Sequence, residues 1–507
     1  MPRIARTRLT FALNQIKANV NRLATAVSIP LAAGCYGADL ESATAQDEVL
    51  WSACGAHECT RYDLPLRFDR DDGLRKHIAV RRTPPNAGSR HQLWLIPGGP
   101  GVSGTRSLPA TMDQFREQFG GVDVYTLDAF GTGSSEPLRC PAAEAAHGDE
   151  GRSIAASEVD ACLSRIETAV EAAGLDSYGI TAAAHDLAEL ISRNRSDNKE
   201  VILISESAGT LWAQRLLVLY PELVDAVVMD AFVPPGYSAR TMTDATEQAM
   251  NRVLALCASE GRCHERLPNP HQQTFLLWQR LAEGHCSTLG VSPTNVQRVL
   301  VQLLADSRNY DLIPRIIAAL KQCSGEDVRW LQSLDIFESM PTFQPSDLAP
   351  DFSAVVFQLI MASELWSIDA WSSEEDFEDY IGAASSTGLS GDGAQALQLA
   401  HSLARWPRYT DALSDDWPDT PVAMLIFHGG LDPRVDDQHA EMARRYSGPA
   451  QWYFRFPYSA HRVLETPSET GGQCAMELLG QFLRDPTARG KLDTRCLAEV
   501  RGPTLGW

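Results

Sequence analysis

A serine at the junction between an apolar strand and an amphipathic helix is the first residue of this chain that could do chemistry. Ser207 lies between the apolar run 201–204 and the helical pattern 208–219, with the small residues Ser205 and Gly209 two positions before and after it. Small residues at those positions let a tight turn close, which exposes the hydroxyl above the sheet and directs helix N-terminal amides at a developing oxyanion. The pattern is typical of a nucleophile elbow and predicts that Ser207 attacks a carbonyl group.

An attacking serine needs a base, and the base needs an acid that orients it. At nucleophile elbows these partners follow the serine in the order acid and then histidine. Asp432 follows the apolar run 422–427, and His461 follows the run 451–456. Either residue alone could be a surface acid or a loop imidazole. Together with Ser207, in this order and each just past a strand, they predict a catalytic triad.

A glycine-rich turn offers donors for the negative oxygen of the tetrahedral intermediate. The run 97–101 (Pro-Gly-Gly-Pro-Gly) follows the strand pattern 91–96. Proteins with a nucleophile elbow take their second oxyanion amide from such a loop. The sequence therefore predicts that the backbone amides of Gly99 and Ala208 form the oxyanion hole, with Gly98 as the near alternative to Gly99.

The elements that must position these residues alternate between strands and helices, which predicts an α/β fold with a mostly parallel sheet. The strand patterns that follow an expected hairpin at 65–83 lie at 91–96, 122–127, 201–204, 225–229, 422–427 and 451–456. Residues 236–400 interrupt this alternation with helical patterns. We therefore expect a helical cap inserted between two segments of one sheet.

The N-terminus has the layout of an export signal. Before Asp39 the charged residues are all Arg or Lys, and the apolar stretch 23–33 ends at Gly34-Cys35. A positive region, a short apolar region and small residues at the cleavage point are typical of a signal peptide. A bacterial lipoprotein signal, in which Cys35 is acylated and anchors the protein to a membrane, is favoured slightly over simple secretion.

These boundaries divide the chain into five parts. The expected parts are a signal peptide at 1–34, a leader at 35–60, a first core segment at 61–235, a cap at 236–400 and a second core segment at 401–507. The formal net charge of −21 argues against nucleic acid or an anionic membrane as partner. No cofactor or metal site is expected, and oligomeric state is not determined by the sequence.

The cysteines support export. Eleven are present, and ten remain when Cys35 is set aside. Ten cysteines in an exported protein predict five disulfides, although the sequence leaves their connectivity open. They fall in local pairs: Cys54/Cys59, Cys140/Cys162, Cys257/Cys263, Cys286/Cys323 and Cys474/Cys496.

From about residue 60 to its end the chain resembles the prolyl and tripeptidyl aminopeptidases of the α/β-hydrolase superfamily. The motifs that carry the likeness are Gly98-Gly99-Pro100-Gly101, Asp128 with Gly131-Thr132-Gly133-Ser134, Ser207, Asp432, His461 and the closing pair Cys474/Cys496. The resemblance implies an α/β-hydrolase fold and a secreted or cell-associated serine peptidase. Its substrates would be peptides with a free amino terminus, from which it removes residues or tripeptides.

The same resemblance implies an acidic side chain of the cap that holds the substrate ammonium group. Glu364 matches a cap motif of this kind, and Glu206 inside the elbow is a second candidate. A solvated helix glutamate is the alternative for Glu364, and local packing is the alternative for Glu206. The chain departs from the family pattern at Ser205, Ala208, Phe130 and Ala362, which puts substrate specificity in doubt.

The sequence as a whole predicts an exported serine aminopeptidase that acts through an acyl-enzyme. An esterase or other small-substrate hydrolase on the same scaffold is the first alternative, because fold and triad do not determine the substrate. A catalytically silent surface binding protein is the second alternative.

Overall fold

Nine strands form one sheet in the computed structural model, which describes residues 49–70, 72–144, 154–334, 336, 351–366, 393–446, 448–486 and 492–505. The strands are β1 Ser52–Cys54, β2 His57–Pro65, β3 Arg75–Arg82, β4 His91–Ile96, β5 Asp123–Leu127, β6 Glu200–Glu206, β7 Ala226–Asp230, β8 Ala423–Gly429 and β9 Gln451–Phe456. Their order in the sheet is β1-β2-β3-β5-β4-β6-β7-β8-β9. The predicted signal peptide and Cys35 lie outside the described residues.

Strands β4 to β9 are parallel, whereas β1, β2 and β3 are antiparallel to their neighbours. Residues 201–204 of β6 are all buried, as expected for a parallel strand covered on both faces. Because parallel strands end at the same edge, the loops after β4, β6, β7, β8 and β9 gather there. The predicted α/β class with a mostly parallel sheet is confirmed.

Fifteen α-helices lie in the described part of the chain. They are α1 Gly104–Ser107, α2 Pro109–Gln118, α3 Val159–Ala173, α4 Ile180–Asn194, α5 Gly209–Leu219, α6 Met242–Ser259, α7 Gly261–Arg266, α8 Pro270–Ala282, α9 Pro293–Leu304, α10 Leu312–Gln322, α11 Gly325–Ser333, α12 Ala354–Ile360, α13 Gly393–Leu403, α14 Asp437–Ala440 and α15 Gly472–Arg484. Side chains of α2 and α15, such as Phe115 and Phe482, pack with Ile202 and Ile204 of β6 in one apolar core. Val201 and Leu203 alternate with these residues and are equally buried, so the opposite face of the sheet is also covered.

Helices α6 to α13 lie between β7 and β8, and the described residues of this region contain no strand of the sheet. They have an apolar core of their own, formed by side chains such as Leu254, Leu300 and Ile317. Leu431 and Ala460, from the loops after β8 and β9, pack in the same core. The inserted helices therefore rest on the two loops that carry Asp432 and His461.

The sheet begins inside the segment that was expected to be a leader. Strand β1 and the first four residues of β2 precede residue 61, and the Cys54–Cys59 disulfide links the two strands. In β2 the buried Tyr62 and Leu64 alternate with the exposed Arg61 and Asp63, which is the pattern of a strand with one covered face. The expected leader is therefore too long, and the first strand of the expected hairpin begins at His57 rather than near residue 65.

All five cysteine pairs suggested by proximity in the sequence are disulfides: Cys54–Cys59, Cys140–Cys162, Cys257–Cys263, Cys286–Cys323 and Cys474–Cys496. Structural disulfides of this number are typical of proteins from oxidising compartments. A search of the described residues for helices long and apolar enough to cross a membrane finds none.

Candidate active site

Ser207 occupies a strained turn between β6 and α5. Its φ angle is +52°, a left-handed conformation that non-glycine residues adopt at an energetic cost and that is concentrated at functional sites. The turn can close because Gly209 lies against the preceding loop, where an added Cβ would be 2.5 Å from the carbonyl oxygen of Pro97. The Ser207 amide donates to the carbonyl oxygen of Asp230, at 2.9 Å, which ties the elbow to the end of β7.

Asp432 and His461 meet at the same edge of the sheet. His461 Nδ1 lies 2.8 Å from Asp432 Oδ2, and Asp432 Oδ1 accepts from the amides of Arg434 and Val435 at 2.7 and 3.1 Å. Burial raises the pKa of Asp432, but the charge and hydrogen bond of His461 outweigh it and hold the pKa below its usual value. The acid is therefore ionised and holds the imidazole by Nδ1, which leaves Nε2 for proton transfer.

No hydrogen bond joins Ser207 Oγ to His461 Nε2 within the described ranges. Catalytic hydrogen bonds of this kind are often long or misaligned without substrate. The structure thus brings Asp432 and His461 into direct contact and links Ser207 to them through neighbouring loops.

Asp230 connects the Ser207 turn to the loop after His461, and the sequence did not identify it as a site residue. Its carboxylate is buried at the end of β7 and accepts from the amides of Val463 and Leu464 at 2.7 and 2.8 Å. Burial raises the pKa of the Asp230 carboxyl group to about 7, although the hydrogen bonds from these two amides lower it. One residue therefore fixes the Ser207 turn through its carbonyl and the loop after His461 through its carboxylate. The sequence pattern that identified Asp432, an acid at the end of a parallel strand, also applies to Asp230.

We expect Asp230→Asn to lower kcat about tenfold to a hundredfold with little change in KM, because small displacements of a catalytic group have effects of this size. The amide can accept from Val463 or Leu464 but not from both, and an unsatisfied buried N–H costs about 1–3 kcal/mol of stability. Steady-state kinetics and urea unfolding of the variant measure the two effects.

Asp225→Asn is the matched control. Asp225 lies just before the same strand, and its carboxylate also accepts a backbone amide, that of Val201 at 2.8 Å. It lies at the opposite end of the strand from Ser207. An equal loss of kcat in both variants would contradict a positioning role for Asp230.

The 97–101 turn lies directly against the nucleophile. A Cβ added to Gly98 would be 3.0 Å from the Cβ of Ser207. The Gly98 amide donates to Glu206 Oε1 at 3.3 Å, whereas the amides of Gly99 and Ala208 have no acceptor in the described part of the chain. Of the two predicted alternatives, Gly99 is thus the one whose N–H is free to bind an oxyanion.

Asp128 binds residues that follow this turn in the chain. Its buried carboxylate accepts from Ser103 Oγ at 2.7 Å, from the Thr105 amide and hydroxyl at 2.9 and 2.8 Å, and from the Ser134 amide at 2.7 Å. An added Cβ at Gly133 would be 2.3 Å from Asp128 Oδ2, so this position requires glycine. Asp128 therefore joins the segment after β4, at Ser103 and Thr105, to the loop after β5, at Ser134.

Glu206 and Glu364 occupy different surroundings. The Glu206 side chain is 21% exposed beside Ser207, and its Oε2 lies 3.5 Å from the Arg462 guanidinium. Glu364 is 2% exposed, and its Oε1 accepts from the Ile180 amide at the start of α4 and from the Tyr409 hydroxyl, at 2.9 and 2.5 Å.

The carboxylate of Glu364 thus binds the first turn of α4, where negative charge is stabilising. Burial and the neighbouring charge of Asp411 raise its pKa to about 7. Its described contacts include neither Ser207 nor the 97–101 turn. A role of Glu364 in binding a substrate amine stays a prediction.

Residues 93–257 match a family model described as alpha/beta hydrolase fold. The range includes most of β4, all of β5, β6 and β7, and the Ser207 elbow. The chain has the alpha/beta hydrolase fold. A search of curated protein sequences found no match.

Several solved structures are similar to this chain at low identity. A lipase in an open form is 12% identical, covers 85% of this chain and 100% of its own, and has a TM-score of 0.35. A proline iminopeptidase from Mycobacterium smegmatis is 13% identical, with coverage of 85% and 100% and a TM-score of 0.36. A haloalkane dehalogenase loop variant from Bradyrhizobium elkanii is 14% identical, with coverage of 85% and 99% and a TM-score of 0.33.

In this alpha/beta hydrolase fold the inserted helices hold the loop that carries Asp432. The Tyr237 hydroxyl donates to the carbonyl oxygen of Arg434 at 2.5 Å, and the Thr246 hydroxyl donates to that of Pro433 at 2.9 Å. The Tyr310 hydroxyl, also from the inserted region, lies 3.4 Å from the Leu431 carbonyl oxygen. The acid of the site is therefore positioned from both the sheet and the cap.

Proposed function

We propose that this protein is an exported serine hydrolase of the aminopeptidase type, which releases N-terminal residues or tripeptides from peptides. The observation that carries the proposal is the hydrogen bond between buried Asp432 and His461, beside a serine held at φ +52° on a strand of the same sheet. This arrangement suits acyl transfer, in which an oriented imidazole removes the proton of an attacking hydroxyl.

In the proposed reaction His461 Nε2 accepts the Ser207 proton while Oγ attacks the substrate carbonyl carbon. The amides of Gly99 and Ala208 donate to the oxygen that becomes negative. His461 then gives the proton to the leaving amine, which departs and leaves an acyl-enzyme. Water, deprotonated by His461, hydrolyses the ester and restores Ser207.

The aminopeptidase assignment depends on a carboxylate near the nucleophile that could pair with a substrate ammonium group. Glu206 fits this role better than Glu364, because its carboxylate is partly exposed and touches the amide of Gly98 beside Ser207. A substrate ammonium group at this position and the Arg462 guanidinium group would both pair with the Glu206 carboxylate. The signal pattern predicted from the sequence, with Cys35 as a proposed acylation site, and the five disulfides support a location outside the cytoplasm or on a cell-envelope membrane.

We expect turnover of aminoacyl or tripeptidyl anilides to fall at least tenfold when the substrate amine is acetylated, since an ion pair with an ammonium group is lost. Parallel assays with nitrophenyl esters separate peptidase from esterase activity. Equal turnover of free and acetylated anilides, or hydrolysis of esters alone, would contradict an aminopeptidase but not a serine hydrolase.

Glu206→Gln and Glu364→Gln test which carboxylate binds the amine. We expect Glu206→Gln to raise KM for free-amine substrates and to leave acetylated substrates unaffected. Glu364→Gln keeps the acceptor for Ile180 and serves as the matched variant. Loss of amine selectivity in Glu364→Gln alone would assign the role to Glu364 instead.

A further inference from the structure

A cavity of about 440 Å³ opens beside β2 and β3, and neither Ser207, Asp432 nor His461 lines it. Its walls come from residue 50, from β1, β2 and β3, from residues 105–106 of helix α1 and from residue 134 in the loop after β5. Three arginines line it, Arg61, Arg81 and Arg106, and no carboxylate does. The chain as a whole has 65 acidic and 44 basic residues, so a concave surface with three cations and no acid runs against its overall charge.

The strand register places two of these arginines side by side. Arg81 pairs with Cys59, and Arg61 pairs with Ala79, so Arg61 and Arg81 are diagonal neighbours on one face of the β2–β3 ribbon. Such residues lie roughly 7–8 Å apart, and like charges so placed repel one another. Arg106 adds a third charge nearby, since burial and the charge of Arg106 lower the pKa of Arg81, against the attraction of Asp128 and Asp113.

The three guanidinium groups have few hydrogen-bond partners within the protein. Across the described residues none of them forms an ion pair with a carboxylate. Arg106 reaches Ser134 Oγ at 3.4 Å, and Arg81 reaches His57 Nδ1 at the same distance. Two acids act on Arg81 through their charge, Asp128 and Asp113. Asp128 already accepts four hydrogen bonds from Ser103, Thr105 and Ser134, and Asp113 pairs with His57 Nε2 at 2.9 Å.

The Nε–H of Arg81 is an independent sign of a missing partner. This atom is buried and has no hydrogen-bond acceptor. A buried polar group without a partner is rare in a folded protein, and an ion that belongs at the site is one explanation. Guanidinium groups bind phosphate oxygens through paired N–H donors, which suits them to tetrahedral oxyanions.

We propose that this cavity is a binding site for a phosphate group, formed by Arg61, Arg81 and Arg106 with the hydroxyls of Ser52 and Ser134 at its wall. None of the proposed triad or oxyanion residues lines it, and the proposal does not depend on peptidase activity. Its volume exceeds that of inorganic phosphate, so the phosphate of a larger soluble molecule also fits. The net charge of −21 opposes general attraction to anionic surfaces, so binding depends on these local donors.

The test titrates the full chain with sodium phosphate by isothermal calorimetry at constant ionic strength. The Arg61→Gln/Arg106→Gln variant changes two exposed residues and leaves the partly buried Arg81 in place. We expect saturable binding in the unsubstituted chain and at least tenfold weaker binding in the variant. Arg165→Gln, which changes an exposed arginine on α3, should bind phosphate like the unsubstituted chain.

A second arm measures binding of the same proteins, each with Cys35→Ser to prevent acylation, to phosphatidylglycerol and phosphatidylcholine vesicles. Phosphate binding without a variant-sensitive preference for phosphatidylglycerol identifies a soluble phosphate ligand. Phosphate binding with such a preference identifies a lipid headgroup as the source. No saturable phosphate binding, or equal binding in the unsubstituted chain and the double variant, would overturn the proposal.

Discussion

Ser207→Ala should lower kcat/KM by about 10⁴-fold or more while leaving the fold intact, because it removes the atom that attacks the substrate. The hydroxyl of Ser207 makes no hydrogen bond in the described part of the chain, so its loss breaks no internal contact. Alanine tolerates the turn no worse than serine, since both carry a Cβ at φ +52°. Activity on anilide and ester substrates, together with circular dichroism, measures both expectations.

Ser205→Ala is the control for this result. It removes a hydroxyl two residues earlier on the same strand, where Ser205 Oγ donates to the carbonyl oxygen of Val228 at 3.0 Å. We expect kcat/KM within a fewfold of the unsubstituted protein and a modest loss of stability, about 1 kcal/mol for one hydrogen bond. Retained activity in Ser207→Ala across all substrates would show that another group attacks.

Asp432→Asn should lower kcat on the order of 10³- to 10⁴-fold with a smaller change in KM. The carboxylate holds His461 by Nδ1 and stabilises the imidazolium that forms when Ser207 loses its proton, and an amide cannot do both. The amides of Arg434 and Val435 still find an acceptor in the asparagine oxygen, so the loop keeps its shape. Measurements of kcat and KM over a pH range distinguish loss of the catalytic base from loss of substrate binding.

Asp436→Asn provides a closely matched control for the acid. Asp436 lies in the same loop, accepts two backbone amides and pairs with His439 Nδ1 at 2.6 Å. It therefore repeats the local contacts of Asp432 without belonging to the proposed triad. A comparable loss of kcat in both variants would show that the loop, rather than the Asp432 carboxylate, is what activity requires.

The triad loops were predictable because their signals are local. A fully buried parallel strand is a short apolar run, and its end is marked by small or polar residues. Such runs preceded Ser207, Asp432 and His461, and the strands begin and end within a few residues of the predicted positions. Since the ends of parallel strands meet at one edge, order along the chain was enough to predict that these loops gather together.

The antiparallel edge and the long-range supports were not predictable in the same way. The strand residues before residue 61 are two short stretches, of three and four residues, with no apolar alternation, and their place in the sheet follows from the pairing of β2 with β1 and β3. Glu364 binds the amide of Ile180, which lies 184 positions away in the sequence. No local pattern marks such a contact, because it depends on how the inserted helices dock on the core.

The sequence by itself determined the alternation of strands and helices, the strained serine turn and the order of acid and histidine after it. These follow from residue types and spacing over short stretches of chain, where backbone conformation and side-chain period decide the structure. Only the tertiary structure decided that Asp230 ties the serine and histidine loops together, that Glu364 is buried at a helix start, and that three arginines share one cavity. Those relations arise from strands and loops distant in sequence, which become neighbours only when the sheet is assembled.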